Sequence, residues 1–571
     1  MSAPEPWPRA AVALALALAL AATWPLPIAG LLDAFVGHPI GDLADHVQGA
    51  WWVAGELTAG RMPDTTTVTH APLSLPLWYV DPVGALFALP LWGLGAPVAW
   101  NGALLAQVLL ATGVGWAAGR DLTGSAWSGV VAAVIAAPSP YLLGLLHSGL
   151  SEYVGVAPLI AAVWASLRAT GRDPRGRPAT LRHALLAGVA IGLSAWQAFY
   201  YAAFAGVFLL CCLPGSRWPE RLRAVGVGVG VSLVVAAPAL WAMGRTLWGG
   251  GGAVSDANAP GWGGGGPLPA TDLLTWVRPG AYYFPDTPAM GNPGILHVNY
   301  LGAVALGLAA VAVVGALRGR RAPGGLDARP LLGPAGLYGL LMLGPGLVVG
   351  GRALGLPLPL ALLYAGPSPF DLVHHPYRMA AGGMAALGLL AAVGSLSLPR
   401  WGRALAAVIV VGEAVSLSPA PWPLATTAAP SSPAWETPPP GAVLDWPPDA
   451  TRANRRYQLA QVEHGHAVPW GVNVFLPRPV AEDPLANQLL RVLDDPRARA
   501  RNRDVPAQAD PVPRPQPGES RLGELGFGSV VLHRDALSEP EWARSARLLE
   551  ATYGAPAAAG DWGARWVVTD P

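Results

Sequence analysis

The chain contains no lysine, and only 12% of its 571 residues are Asp, Glu, Lys or Arg, about half the usual share of a globular protein. A water-soluble surface cannot be assembled from so few charges. The net charge is +1, which argues against a polyanion-binding protein and so against nucleic acid as a partner. The two cysteines, Cys211 and Cys212, are adjacent within an apolar run, so they form neither a disulfide framework nor a CxxC metal site. A phosphate loop is also missing, because the glycine run from Gly249 to Gly266 lacks a Lys-Ser/Thr ending. Missing lysine beside abundant Arg, Ala, Gly and Pro reads as nucleotide-composition bias and carries no function.

What is present is hydrophobic length. Apolar runs near twenty residues recur from Ala10 to Ser418, each enough to cross roughly 30 Å of hydrocarbon at about 1.5 Å per residue. Taken as spans they cover 10–32, 98–118, 127–146, 152–168, 183–197, 199–214, 223–243, 297–317, 331–350, 379–396 and 404–419. The expected fold is a polytopic α-helical membrane protein of about eleven transmembrane helices, carrying a small α/β C-terminal domain outside the cytoplasm. The first run continues past Trp24 to Leu32, longer than a signal-peptide core, so it is read as an uncleaved helix.

Arginine placement orients these spans. With a cytoplasmic N-terminus the inner loops hold fifteen arginines and the much longer outer loops five: Arg61, Arg245, Arg278, Arg352 and Arg378. By the positive-inside rule, the loops 33–97, 244–296 and 351–377 and everything after Pro419 lie outside. The expected location is a bacterial inner membrane, with residues 1–419 as the membrane domain. Residues 420–440 are a Pro/Ser/Thr-rich linker. Residues 441–571 alternate short apolar runs such as AVLDWP and GSVVLHRD with helical patterns such as EPEWARSARLLEATYG, the signature of an α/β domain. A Pro-rich stretch from Val505 to Gly518 reads as a surface loop within it.

The polar residues at the outer edges are the candidate site. In the first outer loop a helix starting near Gly41 would put Asp42 and Asp45 on one face beside His46, as catalytic carboxylates or as caps of a juxtamembrane helix. Trp51, Trp52 and Leu57 follow as a stripe that suits an interfacial helix or an aromatic belt. In the second, HSGLSEY places His147 and Glu152 at the head of the fourth span, where the helix dipole alone would favour an anion. Asp42, Asp45, His147 and Glu152 are the donors that would suit a divalent cation, Mg²⁺ or Mn²⁺. Before the tenth span, FDLVHHPYRM carries His375 and Arg378, either a phosphate-binding pair or an arginine snorkelling to the interface. Tyr282, Tyr283, Asp286, Asn292, His297, Asn299 and Tyr300 form a polar, aromatic set of the kind that lines sugar sites. Gly226, Gly228 and Gly230 read as packing glycines of the seventh span, and the run 249–266 as a flexible loop or lid.

The layout resembles the C-type (GT-C) membrane glycosyltransferases. The residues that carry the resemblance are GDLADH from Gly41 to His46, HAPLSLPLWYVDP from His70 to Pro82 and HHPYR from His374 to Arg378; the tail is also similar to proteins of the YfhO type. The resemblance implies transfer of a sugar from a polyprenyl-phosphate donor to an acceptor at the outer face, with the lipid bilayer and the lipid-linked sugar as partners. It implies Asp42 as catalytic base or metal ligand, with Asp45 as second carboxylate, and Glu152 where oligosaccharyltransferases place an acidic pair. The chain departs from the family in having Asp-x-x-Asp for the common Asp-Glu pair and one acid in the second loop. Two further readings compete: a non-catalytic flippase, transporter or assembly factor for lipid-linked glycans, and an inactive structural relative. The near absence of charge inside the spans, with Glu413 the clear acidic exception, favours chemistry at the membrane edge.

Overall fold

The computed structural model describes residues 8–77, 81–215, 217–248, 270–280, 282–283, 287–288, 296, 298–364, 376–431, 435–436, 439–448, 453–470, 476–493 and 519–568. Two compact units emerge. One comprises Met1–Asp42, Val80–Leu240 and Gly265–Thr427, the other Leu43–Tyr79, Trp241–Gly264 and Ala428–Pro571.

The first unit is a bundle of apolar helices. Among the described residues two helices, Ala96–Thr123 and Trp218–Thr246, are long and apolar enough to cross a membrane. The number rises to four if Pro8–Ala22 with Leu26–Leu32, bent by 69°, and Ala126–Ala136 with Pro140–Ser148, bent by 42°, each count as one span. Eleven is therefore not set by helix length, because proline breaks the first and third runs and four further apolar helices are 10–17 residues long. The expected span 331–350 is corrected outright: its helix stops at Met342. Gly344 and Pro345 end it, and Gly346–Val349 pairs antiparallel with Arg352–Pro357.

Small residues set the packing. The helix Ala380–Ser395 is buried along nearly its whole length and packs against Ala126–Ala136 and Ala303–Leu317. A Cβ added at Gly388 would come within 2.9 Å of the Ala132 carbonyl, so larger residues would push these helices apart. Of the three glycines expected to pack the seventh span, only Gly228 meets a neighbour, with its carbonyl against Gly188; Gly226 and Gly230 have open space beside them. The outward faces carry exposed Leu233, Val234, Leu405 and Ile409, which hydrocarbon accepts and water does not.

Arginines at the helix ends and in the loops also tie helices together. Arg177 donates to Asp121 at 2.8 Å and to Asp173 at 2.5 Å, and Arg168 reaches Asp173 at 3.1 Å. Glu413 is equally structural. Its carboxylate accepts from Tyr300 Oη and from the backbone N–H of Ala303 and Val304, capping the helix Ala303–Leu317.

The second unit is built on a four-stranded sheet ordered Ala558–Gly560, Gly563–Val567, Phe527–His533, Ala442–Trp446, with the last pair parallel and the others antiparallel. All seven residues of Phe527–His533 are buried, as a central strand requires. The helix Glu539–Tyr553 opens with a capping box between Ser538 and Glu541. The Val505–Gly518 stretch lies outside the described residues, as does the glycine run 249–266.

Part of the first outer loop folds into this second unit. Val468 donates to the Val68 carbonyl at 2.9 Å, Ala71 to the Val468 carbonyl at 3.0 Å, and Gln461 Nε2 to Val68 at 2.6 Å. The helix Leu43–Thr58 packs on Ala453–His464, where Gln48 Nε2 donates to Gln461 Oε1 at 2.5 Å and to the Trp470 carbonyl at 3.3 Å. The expected interfacial helix is corrected accordingly, since Val47, Trp52 and Val53 are buried core residues.

Candidate functional site

The helix read as starting near Gly41 begins at Leu43, which leaves Asp42 in the turn before it. Asp42 and Asp45 therefore do not share a helical face. Asp42 is half-buried in the first unit, and its backbone N–H donates to the Ser148 carbonyl at 2.8 Å. Asp45 and His46 are buried in the first turn of the helix, in the second unit.

Glu152 does not enter the fourth span either. It lies on a separate short helix, Ser151–Val154, because Gly155 ends that turn and the next helix, Ala157–Ala169, has proline in its first turn. Tyr201 Oη donates to the Tyr153 carbonyl at 2.6 Å and fixes the turn. Glu152 lies outside the spanning helices and is 7% exposed. Burial pushes its carboxyl up to about 8; the Arg378 guanidinium and the Tyr153 hydroxyl oppose the rise, and Asp81 and Asp42 add to it.

Arg378 sits in the 3₁₀ turn Pro376–Met379 just before Ala380–Ser395. Its Cζ lies 4.7 Å from the Tyr153 ring and 4.9 Å from the Tyr200 ring, two rings that are themselves 6.1 Å apart, so the cation rests over a pair of adjacent aromatic side chains. His147 ends the helix Pro140–Ser148; its ring lies 5.0 Å from that of His38, and its carbonyl accepts the His38 N–H at 2.7 Å. Four expected site residues, Asp42, His147, Glu152 and Arg378, thus belong to the first unit, three of them linked electrostatically around Glu152.

Other expected residues are placed elsewhere. Tyr282 and Tyr283 form a two-residue strand paired with Thr287–Pro288, and their side chains lie outside the described residues. His375, Asp286, Asn292 and His297 lie outside them too. Asn299 is buried and donates to Thr275 at 3.5 Å, and Tyr300 serves Glu413, so both are structural rather than sugar-facing. Among the described residues no three His, Cys, Asp or Glu side chains converge as metal ligands.

Asp81 was not singled out by sequence reasoning, although it closes the HAPLSLPLWYVDP motif. It is 1% exposed. Its Oδ1 accepts from Gly84 N–H at 2.6 Å and from Gln197 Nε2 at 2.8 Å, and the same Gln197 nitrogen reaches Gln107 Oε1 and the Glu152 carbonyl, both at 3.1 Å. Burial pushes Asp81 up to about 7, against hydrogen bonds from Ser151, Gly84, Gln197 and Gln107. The signal available in the sequence was two glutamines in otherwise apolar runs, Gln107 and Gln197, which need a buried polar partner.

Raised carboxyl values have a stability consequence. A group that is more basic in the folded state contributes stability below its unfolded value, near 4 to 4.5, and loses it as pH rises toward 8. In detergent, Glu152→Gln should therefore raise the thermal midpoint relative to wild type at pH 8.5 and change it little at pH 4. Equal shifts at both pH values would contradict the buried placement of Glu152.

No family model matches the sequence, and no curated protein matches it. Among solved structures the chain is similar to the archaeal oligosaccharyltransferase AglB from Archaeoglobus fulgidus, at 11% identity and TM-score 0.48, over 96% of this chain and 71% of that one. It is also similar to ArnT from Cupriavidus metallidurans bound to undecaprenyl phosphate, at 16% identity and TM-score 0.39, over 71% of this chain and 63% of that one. The arabinofuranosyltransferase AftD from Mycobacteria matches at 16% identity and TM-score 0.48, over 97% of this chain but 39% of its own.

Proposed function

We propose that the chain is a C-type membrane glycosyltransferase that moves a sugar from a polyprenyl-phosphate donor to an acceptor at the outer face of a bacterial inner membrane. The observation that carries this reading is Arg378, resting over the adjacent rings of Tyr153 and Tyr200 beside the buried Glu152. A clamped guanidinium at the membrane edge is suited to a phosphate that gains charge as its bond to the sugar breaks. Asp42, in the turn next to Ser148, would take the proton of the acceptor hydroxyl as the oxygen–sugar bond forms. Glu152, neutral near pH 7 by virtue of its burial, would donate a hydrogen bond to the leaving phosphate. His147, in the same unit, completes the proposed substrate and catalytic set.

The resemblance also implies a divalent cation, but the donor set fits one poorly. Glu152 faces Arg378 and is shifted toward its neutral form, so no step is routed through a metal.

The multi-spanning membrane domain, the cytoplasmic N-terminus and the extracytoplasmic C-terminal domain belong to the same reading, supported by fifteen inner-loop arginines against five outer ones. The competing reading, a transporter or flippase for lipid-linked glycans, draws support from the buried acids Asp81 and Glu152. One substitution separates the two. In proteoliposomes supplied with a polyprenyl-phosphate-linked sugar, Asp42→Asn should reduce transfer to acceptor by roughly 10²–10⁴-fold while inserting normally. Normal transfer by this variant would remove Asp42 as the base; donor translocation without any transfer by wild type would favour the transporter.

A further inference from the structure

Asp81 has more partners than a helix cap requires. As the cap of Pro82–Ala88 it needs only the Gly84 N–H, yet Ser151 and Gln197 also donate to it. These partners come from three separate stretches of chain, and two of them lead to Glu152: Ser151 precedes it, and Gln197 holds its carbonyl at 3.1 Å. The fit is close on both sides. A Cβ added at Gly84 would lie 2.1 Å from Asp81 Oδ2, and one at Gly155, which ends the Glu152 turn, would lie 2.1 Å from the Gln197 amide. Asp81 and the Glu152 turn are thus locked to one amide from opposite sides.

We propose that Asp81 is a positioning residue, which through Ser151 and Gln197 fixes the Ser151–Val154 turn and aims the Glu152 carboxyl at Arg378. This rests on the reading of Glu152 and Arg378 as the donor-phosphate site. The groups acting on Glu152 are Arg378, Tyr153, Asp81 and Asp42. Of these, Asp81 alone is tied to the backbone of Glu152 through a shared amide.

The test compares Asp81→Asn and Asp81→Ala in the full chain, reconstituted in proteoliposomes. Asparagine keeps an Oδ1 acceptor for Gly84 and Gln197, so the first variant should fold, hold KM for the donor within about twofold and move the Glu152 limb of the pH profile to lower pH, because a carboxyl that raises Glu152 is gone. Alanine frees the turn and should lower kcat by roughly 100-fold with little change in KM, the cost of misplacing a catalytic group by about an ångström. A rise in KM with kcat unchanged would make Asp81 a substrate contact and overturn the proposal, as would normal kinetics in both variants. A second readout needs no transfer activity. The shifts in thermal midpoint of Asp81→Asn and Glu152→Gln should be non-additive in the double variant, since Asp81 acts on the Glu152 carboxyl by like charge and through the turn that carries it. Additive shifts overturn the positioning role, whereas absent transfer by wild type with non-additive shifts overturns only the glycosyltransferase reading.

Discussion

Arg378→Ala should lower sugar transfer from a polyprenyl-phosphate donor by roughly 10²–10³-fold, the loss typical of removing one preorganised charge-stabilising donor. Two separate effects act together. The developing negative charge on the phosphate loses its cation, and Glu152 loses the one neighbouring group that lowers its carboxyl by opposite charge, so its proton becomes harder to release. Arg378→Lys separates charge from shape. An ammonium keeps the charge but cannot stack flat over rings 4.7 and 4.9 Å away or offer a bidentate fork. Its rate should fall between wild type and alanine. Initial rates in proteoliposomes at several pH values measure both variants; an unchanged rate for Arg378→Ala would leave the guanidinium as an interfacial anchor.

The second large effect is expected far from this chemistry, in the four-stranded unit. Asp445 is fully buried; its Oδ1 accepts from His533 at 2.8 Å and from Trp435 Nε1 at 3.0 Å. The His533 ring stacks on Tyr457 with centroids 4.7 Å apart. Asp445→Ala strands two buried N–H donors in an aromatic pocket and opens a small void, which should cost about 3–5 kcal/mol. His533→Leu should cost less, because it removes a donor and fills its space, although Asp445 then keeps only Trp435. Protease susceptibility of the full chain in detergent, read at the C-terminal unit, measures both. Equal resistance of Asp445→Ala and wild type would show that the pair contributes nothing to this unit.

The site was legible in the sequence to the extent that it depended on composition. Glu152 and Arg378 stood out as ionisable residues at the edges of apolar runs, where desolvation makes any charge costly and hence informative. Asp42 stood out by its place just beyond the first run. Asp81 did not, because Asp-Pro ahead of an apolar stretch is what an ordinary helix start looks like, and its burial depends on Gln107 and Gln197, 26 and 116 residues further along. The start of the helix after Gly41 was readable only to within a residue or two: it begins at Leu43, so Asp42 sits in the turn before it and Asp45 in its first turn. The stripe of Trp51 and Trp52 was read as interfacial because an apolar helix face outside a span has two destinations, lipid or protein. Gln48 on Gln461 and Val68 on Val468 show which one it took.

By itself the sequence determined the membrane character of the chain and the residues too costly to bury without purpose. Both follow from the free energy of moving groups between water and hydrocarbon, a property of each residue and its near neighbours. Only the tertiary structure decided which of these residues meet: that Asp81 shares an amide with the Glu152 turn, that Arg378 rests over Tyr153 and Tyr200, and that residues 43–79 fold with the C-terminal unit. Such pairings join positions tens to hundreds of residues apart. No local periodicity records them, because they are settled by which surfaces pack once the helices and strands have formed.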